Sequence, residues 1–113
     1  MRIINDKITR DELKEMSRRM FGNLVKAVVD IEKEIIAIGG ELHSDESALL
    51  LENGSKQENL WGINLYPEKT GESFIEFDSV INIRPTQNNR TRDVGNPEIR
   101  AKIVRIIDKL VEK

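Results

Sequence analysis

No cysteine occurs in the 113 residues of this chain, which excludes thiol catalysis, disulfide staples and thiolate-bound zinc. Aromatic residues are scarce: one Trp, one Tyr and three Phe do not make the stacking platform of an RNA-recognition surface. With one His, a transition-metal site would need carboxylates for all its other ligands, so neither a metal nor a cofactor is expected. An excess of charge of one sign is missing as well. Lysine and arginine number 18 against 20 acidic residues, a net charge of −2, so nucleic acid is not favoured as a partner and any anion recognition must be local. No apolar run is long enough to span a bilayer, and Met1 to Lys14 carries none of signal length. The chain therefore reads as cytoplasmic, with no membrane partner.

Hydrophobic residues make up 38% and charged residues 34%, the balance of a folded, highly charged protein. The length fits a single domain over residues 1–113, able to bury a core without a staple. Arg2 to Asn5 reads as a short strand. Thr9 and Glu12 have the spacing of a capping box, which opens a helix near Arg10 with Leu13, Met16 and Met20 on its inner side. Leu24 to Ile38 reads as a second helix, apolar at 24, 28, 31, 35 and 38 and ended by Gly39-Gly40. Glu41-Leu42-His43 then reads as extended, and the continuous apolar run Ala48 to Leu51 as a strand buried on both sides. Leu60 to Tyr66 alternates, with Trp61, Ile63 and Leu65 on one face and Gly62, Asn64 and Tyr66 on the other. Phe74 to Arg84 is the longest alternating segment, and Thr86 to Gly95 a loop that is mobile when nothing is bound. Asn96-Pro97-Glu98 opens a last helix whose buried stripe is Ile99, Ile103, Ile106, Ile107 and Leu110. These elements predict an α+β fold: a mainly antiparallel three- to four-stranded sheet with three helices packed on one face and its other face partly polar.

That polar face holds the candidate site. Alternation places Asn64 and Tyr66 with Asn82 and Arg84, and His43 joins them if Leu42 points inward. His43 beside Asp45 or Glu41 has the makings of an oriented general base, but a lone histidine after a helix end is more often a hydrogen-bonded structural or surface residue. Arg84, Arg90 and Arg92 stand near Gln87, Asn88 and Asn89, and guanidinium forks beside amides suit a phosphate or carboxylate. Pairing of Arg84 with Glu76 or Asp78 is the competing account. Gly62 leaves a spot where backbone or ligand can approach closely. The residues expected to bind ligand are His43, Asn64, Tyr66, Asn82, Arg84, Arg90 and Arg92, with no catalytic residue assigned. A sheet-on-sheet homodimer would use Leu50, Leu60, Tyr66, Phe74 and Val80.

From about Phe21 onward the chain resembles a family of short uncharacterised bacterial and archaeal proteins, a domain of unknown function. The resemblance rests on Val25-Lys26-Ala27-Val28-Val29-Asp30-Ile31-Glu32, on Gly39-Gly40-Glu41-Leu42-His43 with Asp45, and on Gly54-Ser55 with Gln57. It continues through Leu60-Trp61-Gly62-Ile63-Asn64-Leu65-Tyr66-Pro67 and Ile81-Asn82-Ile83-Arg84-Pro85. It implies a free-standing small domain and transfers no catalytic residues. The leading expectation is a non-catalytic binding module, a homodimer, whose polar sheet face and Arg90 loop accept an anionic small ligand or a protein partner. Two rivals are a small hydrolase or nuclease using His43 and Arg84, and an antitoxin-like or regulatory subunit.

Overall fold

The structure, a computed structural model, describes residues 1–112. In chain order its elements are β1 (Arg2–Ile4), β2 (Ile8–Thr9), α1 (Arg10–Arg19), β3 (Val25–Asp30), β4 (Ile35–Ile38), α2 (His43–Glu52), β5 (Leu60–Leu65), β6 (Ile75–Glu76), α3 (Pro97–Leu110) and β7 (Val111–Glu112). Single 3-10 turns lie at Gln57–Asn59, Gly71–Phe74, Val80–Asn82 and Pro85–Gln87. The fold is α+β and its main sheet antiparallel, as the sequence predicts, but the sheet has five strands among the described residues, in the order β1-β4-β3-β5-β6. β2 and β7 pair separately and in parallel.

Two helix starts form as their caps dictate. The Thr9 hydroxyl accepts from the Glu12 amide at 3.1 Å while the Glu12 carboxylate accepts from the Thr9 amide at 3.4 Å. Asn96 caps α3 by accepting from the amides of Glu98 and Ile99. Ile103, Ile106, Ile107 and Leu110 of α3 and Leu13 of α1 then pack with Val25, Ala27, Val29, Trp61, Ile63 and Leu65 on one face of the sheet.

The segment read as a helix from Leu24 to Ile38 is instead the hairpin β3–β4. Nearly every side chain of Val25–Asp30 and Ile35–Ile38 is buried, because both sheet faces are covered, and double burial erases the period-two pattern. Asp30 makes the reversal: its Oδ1 accepts from the amides of Glu32 and Lys33 at 2.9 and 3.0 Å, and Glu34 adopts φ 58°. Conversely, the run read as a buried strand at Ala48 to Leu51 belongs to α2. That helix covers the opposite sheet face, where Leu50 packs with Val28, Ala37 and Leu60, so the helices do not share one face. Leu50, Leu60 and Phe74 are all buried, which closes the sheet-on-sheet contact that they were expected to offer.

The long strand expected from Phe74 to Arg84 is cut to Ile75–Glu76; beyond it the chain leaves the sheet and folds over β5. Here the Asn82 side chain replaces a strand. Its Oδ1 accepts from the Gly62 amide at 2.8 Å and its Nδ2 donates to the Gly62 carbonyl at 2.9 Å, satisfying main-chain groups that β6 does not reach. The Thr86–Gly95 loop is likewise ordered around one residue. Asn89 Nδ2 donates to the carbonyls of Asn82, Thr91 and Asp93, and its Oδ1 accepts from the Gly95 amide.

Candidate functional site

The β3–β5 register sets Lys26 directly opposite Asn64, and the β5–β6 register sets Asn64 opposite Glu76, so the three form a row across the sheet. The row lies on the α2 face, since it alternates with the core residues Val25, Ala27, Ile63 and Leu65. At its end opens a cavity of about 450 Å³, within the range of small-ligand sites. Its polar side, or floor, is built from Lys26, His43, Asn64 and the half-exposed Asp78–Arg92 pair, and its apolar side, or rim, from Phe21, Leu24, Leu42 and Val80. Phe21 is 41% exposed, Leu42 53% and Val80 63%, an unusual density of bare apolar side chains around a polar centre.

His43 is the first residue of α2, not part of a strand, and is nearly buried. Its Nε2 lies 2.8 Å from the Ile63 carbonyl. A carbonyl can only accept, so Nε2 carries the proton and Nδ1 is left as the basic nitrogen, without a partner among the described residues. Burial pushes the imidazole pKa below its usual value; the Ile63 bond and the Asp78 charge oppose the shift, and the charges of Lys26 and Arg92 add to it. The ring is therefore neutral at pH 7.

Asn64 donates from Nδ2 to Glu76 Oε1 at 2.9 Å and to the Asp78 carbonyl at 3.3 Å, two acceptors that fix the orientation of its amide. Its Oδ1 is buried with no hydrogen-bond partner. Arg92 grips Asp78 from Nε at 2.6 Å and from Nη2 at 3.3 Å, and this bond holds the Asp78 carboxyl below the usual carboxylate range. Lys26 makes no ion pair among the described residues and rests 4.9 Å from the Phe21 ring centre, leaving it as the cavity's uncompensated cation.

The structure brings together three of the seven residues singled out in the sequence: His43, Asn64 and Arg92. Tyr66 stands just outside, donating to the same Glu76 oxygen that holds Asn64. Burial, followed by the Glu76 hydrogen bond, raises its pKa. Asn82 is fully buried and structural. Arg84 faces elsewhere: its guanidinium donates to the carbonyls of Gln57 and Leu60 and to Gln87, and stacks 4.1 Å from the Trp61 ring centre. Its pairing is thus with main chain and not with Glu76 or Asp78, and it does not line the cavity, so the hydrolase reading lacks its second group here. Arg90 is exposed on the loop and also outside. The close approach foreseen at Gly62 is made by Ser79 and Ile81, not by a ligand.

Lys26, Asp78 and the apolar rim were missed. Lys26 falls inside the segment read as a helix from Leu24 to Ile38; once Val25–Asp30 is a strand, alternation alone puts it opposite the core residues and next to Asn64.

The site therefore belongs to a small α+β protein with a ligand-sized cavity between sheet, helix and loop. The family model described as protein of unknown function, DUF5674, matches residues 2–110, and the chain belongs to that family; the match includes β1 and α1, upstream of the stretch that carried the resemblance. No curated protein and no solved structure matches the chain. Among the described residues no helix is long and apolar enough to cross a membrane.

Proposed function

We propose that this protein is a non-catalytic binding module whose cavity between β3, β5, α2 and the 78–81 segment takes a small organic carboxylate with an apolar body. The observation that carries the reading is the apolar rim of Phe21, Leu42 and Val80 around a floor where Lys26 has no ion-pair partner among the described residues. Rim and cation together fit an amphipathic anion better than a bare inorganic one. Hydrogen bonding favours binding over catalysis: His43 bonds to a main-chain carbonyl, and among the described residues no nucleophilic side chain is hydrogen-bonded to it.

Calorimetric titration with 3-phenylpropionate tests this. Binding is expected to the native protein and to weaken roughly tenfold in Lys26→Met, which keeps the apolar stem and loses the charge-assisted bond. An absence of binding heat, or equal affinity in the two proteins, contradicts it.

A further inference from the structure

We infer that the ligand class of this cavity is an apolar α-amino acid, bound as the zwitterion. The inference rests on the binding reading above and follows from a tally of what the floor offers. Lys26 offers an anion one charged donor, yet the floor also holds acceptors without partners among the described residues: Asn64 Oδ1, buried and unbonded, and His43 Nδ1, made an acceptor by the Ile63 bond to Nε2. Asp78 adds a third acceptor. Its carboxylate is held by Arg92 through two bonds, which neutralises its charge and leaves further lone pairs free. A buried acceptor without a donor is costly, so a ligand that supplied only a carboxylate would leave Asn64 Oδ1 unsatisfied.

An ammonium group carries three donors and fits three acceptors. A purely cationic ligand is opposed by Lys26, which has no ion-pair partner among the described residues. Lys26 and Asn64 are directly paired across β3 and β5 on one face. Cross-strand neighbours of this kind lie about 5 Å apart at Cβ, so the two side chains leave the sheet side by side into the same cavity. A carboxylate and an ammonium on a common carbon present the complementary pair. The side chain of such a ligand then lies against Phe21, Leu24, Leu42 and Val80.

Three ligands of one skeleton test the proposal on the unaltered protein, so no variant has to fold. Calorimetric titrations compare L-phenylalanine with 3-phenylpropionate, which lacks the ammonium, and with L-phenylalaninamide, which lacks the carboxylate. L-Phenylalanine is expected to bind at least about tenfold tighter than either, the gain of one charge-assisted contact. If 3-phenylpropionate binds as well as L-phenylalanine, the inference is overturned while the binding reading stands. If the amide binds as well, the cavity recognises an amine such as a peptide N-terminus, and the free amino acid is ruled out. If none of the three binds, both readings fall.

Discussion

His43 and Glu46 are both buried on α2, and each bends the pH response of the protein in its own direction. The pKa of His43 is depressed in the fold, so the stability it contributes is complete above its unfolded value and is lost as pH falls through the folded value. Protonation also turns Nδ1 from acceptor to donor in the presence of Lys26 and Arg92, with Asp78 the opposing charge. Affinity for L-phenylalanine should therefore fall, and affinity for 3-phenylpropionate rise, as pH drops below the ordinary imidazole range, in calorimetric titrations from pH 7 downward. Parallel curves for the two ligands would exclude Nδ1 from the site. Glu46 is fully buried; its Oε2 accepts from the Gly40 amide at 2.9 Å and its Oε1 has no partner. Burial pushes its pKa from 4.5 up to about 9, so it is neutral at pH 7. A raised folded pKa gives stability that is full below the unfolded value and lost as pH climbs through the folded one. Glu46→Gln needs no proton, so it should gain about 2 kcal/mol over the native protein near neutral pH and flatten the slope. Urea unfolding at several pH values measures both; an unchanged slope would show that Glu46 is ionised in the fold.

At the scale of elements, the fold depends on side chains that act as pieces of backbone. A Cβ on Gly62 would lie 2.5 Å from the Ser79 Cβ and 3.1 Å from Ile81, so the 79–82 segment could not seat on β5. Gly62→Ala should cost about 3 kcal/mol in urea unfolding, in the range of core overpacking. A cost under about 0.5 kcal/mol, typical of surface substitutions, would mean that the segment moves freely. In the loop, Asn89→Ala removes the amide that holds three carbonyls and the acceptor for Gly95. Hydrogen exchange at the Gly95 amide should then speed up by at least about tenfold, and an unchanged rate would show that the loop is ordered by other means.

The elements also show how far the sequence could be read. α1 and α3 were legible because Thr9, Glu12, Asn96 and Pro97 mark their starts locally. The face of β5 was legible because Trp61, Ile63 and Leu65 alternate with smaller or polar residues. α2 was not. Its buried stripe is His43, Glu46, Ser47 and Leu50, helical in spacing but mostly polar, while Leu51 in its apolar run is 40% exposed. β3 and β4 were hidden by burial on both faces, although their β-branched residues Val25, Val28, Val29, Ile35, Ile36 and Ile38 pointed to strands. With these two elements exchanged, His43 stayed in the site while Lys26 could not be seen.

In the whole molecule, α1 and α3 cover one face of the sheet, and α2 with the 79–83 segment covers the other. Each covering layer leaves a recess. The larger, about 1010 Å³, lies between α3 and the 70–77 segment, but its cations are already engaged. Arg10 donates to the carbonyls of Pro67 and Lys69 and lies over Phe74, and Arg100 pairs with Asp93 and lies over Phe77. No buried side-chain atom lining it lacks a partner among the described residues, whereas the α2-side cavity contains the unbonded Asn64 Oδ1. The most direct measurement is a map of backbone amide shifts in an NMR titration with 3-phenylpropionate. The account predicts shifts confined to Phe21, Leu24, Lys26, the His43 end of α2, Asn64, the 78–81 segment and Arg92. Shifts centred instead on Arg10, Phe74, Phe77 and Arg100 would place binding in the larger recess and contradict it.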